Sequence, residues 1–336
     1  MTKENGQSID SAPGIICLMY HRIDIMDTDP WSICVSPQHF EEQIQFLKQN
    51  FDVISVPDVV SQITTGNIKT NSVCLTFDDG YADNYIYAKP ILERHDCPAT
   101  FFIPTAFISI AQPFWWDELE IILLHSKKLP EQLTLSIAGE SLNYTLSTPE
   151  LTDEQWQQHK VWKWYEEPPT DRCAVFLNVW ETLRILSHEE IKYQIKTIKE
   201  WADNQTDFTK QRLPMNEDQL CELAANNLFT IGLHTHTHPD LSAKEKNVQA
   251  EEIMRCKHTL YNKYSIEANC LAYPYGRYNN DTAAAAAELL LTAGFTTEPS
   301  HLTANSHLMK LGRYQVCNWN MNEFQNQISA WHEYKK

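Results

Sequence analysis

Four features that would each assign a chain to a broad class of protein are absent from this sequence or scarce in it. No apolar run reaches the roughly 18 residues of a membrane-spanning helix, and residues 1–14 are polar where a secretory signal would be apolar. The nine cysteines include no CxxC pair, which fits a reducing compartment better than a disulfide framework. We therefore expect a cytoplasmic protein without a transmembrane segment.

Positive charge is the fourth scarce feature. The chain has 27 Lys and Arg against 44 Asp and Glu, a net charge of −17, which argues against a nucleic-acid partner because phosphate backbones attract basic proteins. What the chain does have is 336 residues with a hydrophobic content of 43%, enough for one large α/β domain or two ordinary domains. Nothing in the sequence specifies an oligomeric state.

Predicted strands and helices alternate in two stretches of the chain. Residues 15–20, 73–77, 99–103 and 229–233 are short apolar runs typical of buried strands, and helical patterns lie between them. This alternation predicts a parallel α/β sheet or barrel, in which functional sites form at the carboxyl ends of the strands.

Two adjacent carboxylates follow one of these strands. Asp78 and Asp79 come directly after residues 73–77, and Gly80 permits a turn that brings both side chains into one cleft. If buried without a cation, the two carboxylates would cost several kcal/mol. They therefore require a metal, a basic partner or open solvent, and a solvated turn is the alternative interpretation.

Three histidines follow another predicted strand, at positions 234, 236 and 238. Each alone could be a hydrogen-bonded structural residue. Together, imidazoles at a strand end are suitable metal ligands, and a divalent cation would also stabilise the carboxylate pair. One carboxylate and two imidazoles leave coordination positions for water and substrate, and the second carboxylate can accept a proton.

The alternation of predicted strands and helices is interrupted between residues 104 and 214. This stretch contains a predicted β-hairpin over residues 133–146 and several charged helices, and we interpret it as an inserted helical cap beside the cleft. The aromatic cluster Phe114-Trp115-Trp116 is interpreted as the core of the insertion, with contact to sugar rings or a membrane surface as the alternative.

These residues carry a resemblance to a known family. Thr76-Phe77-Asp78-Asp79-Gly80 and His234-Thr235-His236-Thr237-His238 resemble the first two motifs of the polysaccharide deacetylase (NodB-homology) family, and residues 271–276 resemble the third. The opening Met19-Tyr20-His21-Arg22 resembles the branch that includes poly-N-acetylglucosamine deacetylases. The resemblance covers residues 15–105 and 215–298.

The resemblance implies a fold and an organisation of the chain. The fold would be α/β, a distorted (β/α) barrel of about seven strands formed by residues 15–104 and 215–316. The general family pattern does not explain the insertion; from the sequence pattern itself we expect residues 105–214 to form the inserted helical cap with its hairpin, and residues 317–336 a C-terminal tail helix.

The resemblance also implies roles for single residues. Asp78 matches the general base, and Asp79, His234 and His238 match the ligands of one divalent metal ion, zinc first, with nickel, cobalt or iron as alternatives. Tyr275 matches a residue whose backbone N–H helps to bind the oxyanion. We further assign His21, Tyr275 and His236 to substrate contacts, with orientation of a neighbouring residue as the alternative for His236.

Three departures from the family pattern concern charge and proton supply. Ala272 replaces the arginine that positions the base, and no Asp-Trp motif near residue 298 provides a partner for such an arginine. Arg313 is the candidate to supply the missing positive charge to the site from another strand. The late histidine that acts as general acid has no match, because His301 and His307 lie in a polar loop.

The sequence thus predicts a metal-dependent hydrolase that removes an N-acyl group, N-acetyl first, from an acylated amino sugar or glycan precursor. The alternatives are a carbohydrate O-acyl esterase with the same metal centre and a catalytically inactive carbohydrate-binding homologue. We expect replacement of Asp78 by Asn to change stability little, because it relieves repulsion with Asp79.

Overall fold

The computed structural model describes residues 14–203 and 212–333. The polar N-terminus, on which the expectation of no secretory signal rests, lies outside these ranges, as do residues 204–211 of the predicted insertion and the last three residues of the predicted tail helix. None of the helices within the described ranges combines the length and hydropathy needed to cross a membrane.

The strands are short and mostly apolar. In chain order they are β1 (Ile16–Tyr20), β2 (Arg22–Ile23), β3 (Cys34–Val35), β4 (Asp52–Ile54), β5 (Ser72–Phe77), β6 (Ala99–Ile103), β7 (Gln132–Ile137), β8 (Glu140–Thr145), β9 (Phe229–Leu233), β10 (Cys270–Ala272), β11 (Ala293–Phe295) and β12 (Tyr314–Gln315). Every residue of β1, β5 and β6 is buried, as expected for parallel strands that are covered on both faces.

Seven of these strands form a curled parallel sheet in the order β11-β10-β9-β6-β5-β1-β12. β4 pairs with the beginning of β5, and β6 pairs with its end. The curl closes through a parallel bridge between Phe295 of β11 and Leu311, three residues before β12. The predicted distorted (β/α) barrel of about seven strands is confirmed.

Several helices of the described ranges begin at a polar residue that caps the first turn. The helices are α1 (Pro37–Asn50), α2 (Val56–Thr65), α3 (Lys89–Arg94), α4 (Trp115–Glu120), α5 (Asp153–Val161), α6 (Asp171–Leu183), α7 (His188–Trp201), α8 (Glu217–Ala224), α9 (Lys246–Tyr264), α10 (Asn280–Glu288) and α11 (Met321–Glu333). Ser36 and Asn279, for example, accept hydrogen bonds from backbone N–H groups of α1 and α10 that would otherwise lack partners.

Residues 105–214 are the predicted insertion, which we call the inserted segment, and their described part (105–203 and 212–214) contributes most of a second hydrophobic core. Phe114, Leu119, Phe176 and Ile195 belong to it, together with apolar residues of β7. The hairpin β7–β8 turns through Ala138 and Gly139 with φ of 51° and 83°, the two positive values of a type I′ turn. The segment therefore packs as a helical layer with a hairpin, beside the carboxyl ends of β5 and β9.

A buried network of charges joins the inserted segment to the barrel. Arg22 of β2 lies 3.0 Å from Asp83 and 3.6 Å from Asp117 of α4. Arg212 reaches Asp117 at 3.5 Å and Glu120 at 2.8 Å. Because breaking one member would leave a buried charge uncompensated, this network fixes the segment against the carboxyl ends of the barrel strands.

Candidate metal centre

The candidate site lies where several parallel strands end. His21 follows β1, Asp78 and Asp79 follow β5, the segment 234–238 follows β9, and the turn 274–276 follows β10. Parallel strands present their carboxyl ends on one side of a barrel, so these side chains converge although they are far apart in sequence.

Four non-glycine residues of these turns have positive φ: Asp79 (70°), Thr235 (64°), His238 (57°) and Tyr275 (57°). The left-handed region costs a residue with a side chain roughly 1–3 kcal/mol and persists only where the surrounding structure determines it. Gly80 adds a fifth positive φ, and a Cβ at Gly80 would lie 2.9 Å from Ile103 Cδ1. The chain is thus turned sharply after β5, β9 and β10, where it carries these side chains.

Asp79, His234 and His238 form a buried group whose candidate ligand atoms all lie within 4.8 Å of one another. Asp79 Oδ1 is 3.3 Å from His234 Nε2 and 3.2 Å from His238 Nε2. His234 Nδ1 lies 2.8 Å from the carbonyl oxygen of Ala272, which fixes the Nδ1–H tautomer and leaves the Nε2 lone pair available. Two imidazoles and one carboxylate are a donor set that fits a divalent cation such as zinc.

The pKa values of these three buried side chains depend on their contacts with one another. Burial alone would raise the pKa of Asp79, but hydrogen bonds from His234 and His238 hold it well below the usual value. Burial alone would lower the pKa of His234, but the hydrogen bond to Asp79 and the charge of Asp78 raise it. The pKa of His238 is lowered, mainly by burial. A proton on His234 therefore occupies the place that a cation would take.

The segment 234–238 is held from behind by α9. Glu252 accepts hydrogen bonds from the backbone N–H groups of His236 (3.0 Å) and Thr237 (2.7 Å), and from the Thr237 hydroxyl. The hydroxyl of Thr235 accepts the N–H of His238 at 3.1 Å. These bonds determine the strained backbone that carries the two candidate ligands.

Asp78 does not belong to the metal group; it pairs with Arg313. The two guanidinium nitrogens Nη1 and Nη2 each lie 2.7 Å from one carboxylate oxygen, and Arg313 is fully buried. Burial alone would raise the pKa of Asp78, but the charges of Arg313 and His234 lower it. The expectation that Asp78→Asn changes stability little took no account of Arg313; with this pair we expect a loss of stability, because the substitution would leave a buried arginine without its counter-charge.

A cavity of about 430 Å³ opens above these residues. Its polar floor consists of His21, Asp78, Asp79, His234 and His238. Its walls are largely aromatic and come from the inserted segment, the loop after β2 and the turn after β10: Trp31, Trp116, Trp164, Trp180 and Tyr275. Among the Phe114-Trp115-Trp116 cluster, all three rings are buried in the core of the segment, and Trp116 also faces the cavity.

The structure brings most of the predicted site residues together. His21 and Tyr275 line the cavity, and Arg313 lies behind it on Asp78. His236 does not line the cavity: it is half-buried, and its Nδ1 lies 2.9 Å from Thr105 Oγ1 on the side of β6. His236 thus contacts Thr105 and lies apart from the cavity where the sequence placed its substrate contacts.

Sequence reasoning missed the residues that support the site from a distance. Glu252 lies in the middle of α9 with no motif around it, and Thr76, whose hydroxyl is 3.1 Å from Arg313 Nη1, reads as an ordinary strand residue. Trp180 of α6 and Arg184, which directly follows that helix, lie in a segment where the sequence analysis identified no motif. The only available signal was the amphipathic, aromatic character of that helix.

Comparison with known proteins agrees with this geometry. The family model described as polysaccharide deacetylase matches residues 65–133 and 176–294, which is more than half of the chain. YxkH of Bacillus subtilis (strain 168) is 21% identical over 301 residues, covering 89% of this chain and 70% of that protein. The poly-β-1,6-N-acetyl-D-glucosamine N-deacetylase of Staphylococcus epidermidis is 27% identical over 128 residues, covering 35% of this chain and 42% of that protein.

Solved structures show the same fold. The deacetylase PplD of Streptococcus pyogenes, solved in complex with acetate, superposes with a TM-score of 0.54 at 21% identity, covering 93% of this chain and 97% of that one. IcaB from Ammonifex degensii gives a TM-score of 0.56 at 17% identity, covering 96% and 98%. At these identities the likeness concerns the fold alone.

Proposed function

This chain belongs to the polysaccharide deacetylase family, and on that premise we propose that it is a metal-dependent hydrolase that removes an N-acyl group, N-acetyl first, from an amino sugar or glycan precursor. The observation that carries the proposal is that two adjacent carboxylates have different partners. Asp79 lies with two imidazoles, whereas Asp78 is held by Arg313 and faces the same cavity. A site that only bound sugar would not need the second, unliganded carboxylate.

Asp79, His234 and His238 would hold the cation, zinc first, with nickel, cobalt or iron as alternatives. When bound there, it supplies Lewis-acid activation of the attacking water and of the acyl carbonyl. The buried hydrogen bond from His234 Nδ1–H to Ala272 is the kind of outer contact that orients a ligating imidazole.

Asp78 is the proposed general base. Its lowered pKa keeps it ionised at neutral pH, and the two hydrogen bonds from Arg313 fix the plane of its carboxylate. The attacking water gives its proton to Asp78 as its oxygen bonds to the acyl carbon. Arg313 thus takes the positioning role of the arginine that Ala272 replaces.

His21 is the proposed general acid. It is the one histidine among the described cavity-lining residues that is outside the metal group, and its charge acts on both Asp78 and Asp79. Asn84 fixes its backbone through a 2.8 Å hydrogen bond to the carbonyl oxygen. As the C–N bond breaks, the leaving nitrogen takes a proton from the His21 imidazole, and the products are a carboxylate and a free amino sugar.

The sugar would lie against the aromatic walls of the cavity. Flat apolar faces such as those of Trp31 and Trp180, whose ring centroids are 4.5 Å apart, suit the apolar faces of sugar rings. The backbone N–H of Tyr275 is the proposed donor to the acyl oxygen. The activity of the Staphylococcus epidermidis relative supports an N-acetylated glucosamine unit. The cytoplasmic location, and with it a precursor substrate, stays a prediction from composition.

The test is a substrate panel incubated with metal-loaded protein. It should contain N-acetylglucosamine oligomers, an N-formyl analogue and an O-acetylated, N-unsubstituted sugar, with acetate or formate and new primary amine measured in parallel. We expect acid and amine in equal amounts from the N-acyl substrates. Acid release from the O-acetyl sugar alone would identify an esterase, and no release from any substrate by metal-replete protein would identify an inactive homologue.

A further inference from the structure

The two histidines of the metal group differ in what their second ring nitrogen contacts. His234 Nδ1 is hydrogen-bonded to Ala272 O, as is usual for metal-ligating histidines. His238 Nδ1 is buried and has no hydrogen-bond partner within residues 14–203 and 212–333. On the Nδ1 side, the orientation of the His238 ring must therefore be determined by something other than a hydrogen bond.

Rings surround His238 instead. Its centroid is 4.7 Å from those of Trp116, Tyr275 and His234, at interplanar angles of 45°, 77° and 67°. The backbone does not favour this pose by itself, because His238 has a φ of 57°. Packing against these rings is what holds Nε2 toward Asp79, at 3.2 Å from Oδ1.

Trp116 is the best-anchored of these rings. Its Nε1–H donates to the Tyr81 hydroxyl at 2.8 Å, and that hydroxyl donates to Asp117 Oδ2 at 2.9 Å. Phe114 stacks on its other side, with centroids 4.6 Å apart and planes within 4°. Asp117 in turn belongs to the buried charge network with Arg22.

We propose that Trp116 is a positioning residue for His238: contact with the indole takes the place of the hydrogen bond that orients His234, and the Tyr81 hydroxyl holds the indole in place. The inserted segment is then a structural part of the metal centre and not only a wall of the cavity. This proposal rests on the proposed function, because it assumes that His238 is a metal ligand.

The experiment measures metal binding, without turnover. Zinc affinity is determined by chelator competition, and the visible spectrum of the cobalt(II)-loaded protein reports the geometry of the ligands. In Trp116→Leu we expect roughly a 10–100-fold loss of affinity, the range for lost outer contacts to a metal ligand, together with a changed cobalt spectrum. Trp116→Phe keeps an aromatic face and should recover most of the affinity.

Trp162→Leu is the matched control. Trp162 is equally buried in the core of the inserted segment but does not line the cavity. We expect this variant to lower the melting temperature while zinc affinity and the cobalt spectrum stay those of the wild type. An equal loss of affinity in Trp162→Leu would overturn the proposal, because general loosening of the segment would then explain both variants.

Other outcomes separate this proposal from the proposed function. Wild-type affinity and spectrum in a folded Trp116→Leu would overturn the positioning role and leave the proposed function standing. A wild-type protein that binds no divalent metal would overturn both. If Trp116→Leu does not fold, Tyr81→Phe takes its place: it removes the anchor of the indole, and unchanged affinity and spectrum in that variant would overturn the proposal.

Discussion

Arg313 and Asp78, 235 positions apart in the chain, meet through two hydrogen bonds of 2.7 Å at the end of strand β5. Arg313 also bonds the Thr296 carbonyl at 3.0 Å and the Thr76 hydroxyl at 3.1 Å, so its position does not depend on Asp78 alone. A preformed, rigid guanidinium therefore determines the orientation and the charge of the proposed base.

The first prediction concerns the stability of this pair. Asp78→Asn should lower the free energy of unfolding by about 3 kcal/mol, near the lower end for breaking a buried pair, because the amide oxygen still accepts one hydrogen bond from Arg313. The double variant Asp78→Asn/Arg313→Met should recover much of that loss. Denaturant unfolding of the wild type, Asp78→Asn and the double variant measures these free energies. The coupling would be contradicted if the double variant were less stable than Asp78→Asn by as much as an independent second substitution would cost.

The dependence of this effect on pH has a defined sign. Because the pKa of Asp78 is lowered from 3.8 in the folded protein, its carboxylate contributes stability above about pH 4, and this contribution is lost as the pH falls through the folded pKa. The difference in unfolding free energy between the wild type and Asp78→Asn should therefore shrink in acid.

Removal of the arginine charge should change the pH profile of catalysis. In Arg313→Gln the burial that raises the pKa of Asp78 is no longer opposed by its main counter-charge. The acid limb of kcat/KM should therefore move to higher pH, with metal content as the control. Superimposable profiles for the variant and the wild type would show that Arg313 does not set the charge state of Asp78.

Replacement of the proposed acid should depend on the leaving group. His21→Gln should reduce hydrolysis of an N-acetyl sugar roughly 10²–10⁴-fold, the range for a lost general acid, with metal content unchanged. An aryl acetate, whose leaving group needs no proton, should be hydrolysed at close to the wild-type rate. Equal losses on both substrates would assign His21 to binding or structure instead.

Metal binding should release a proton. His234 has a pKa raised above 6.5 without a cation, so its imidazole is mostly protonated at pH 6.5 and must lose that proton to coordinate, whereas His238, with a lowered pKa, is mostly neutral. Calorimetric titration with zinc at pH 6.5 in buffers of different ionisation enthalpy should give about one proton released per metal. Heats that do not vary with the buffer would contradict this charge state.

Much of this architecture could be predicted from local sequence, and the limits have physical reasons. The strand before Asp78 is a local run of apolar residues, and the structure has it where predicted, over Ser72–Phe77. The pairing of Arg313 with Asp78 could be suggested only as a compensation for Ala272, since nothing near residue 313 specifies its partner.

Side-chain positions that depend on tertiary packing were harder to predict from the sequence. An alternating pattern does not show whether His236 points to the cavity or to Thr105, because the turn after β9 has positive φ at Thr235 and His238. Trp116 could be interpreted as core, but its contact with His238 arises from how the inserted segment lies on the barrel. No spacing of residues in the sequence indicates such contacts between distant segments.

The central claim is that Asp78 accepts a proton while Asp79, His234 and His238 hold the metal. The most direct test measures acetate release from an N-acetylated glucosamine oligomer by the wild type and by Asp78→Asn, with metal content and circular dichroism determined on the same samples. The account predicts a folded, metal-replete Asp78→Asn whose rate is lower by roughly 10²–10⁴-fold. A fully active variant would exclude Asp78 as the base, and a folded variant without metal would make it a ligand instead.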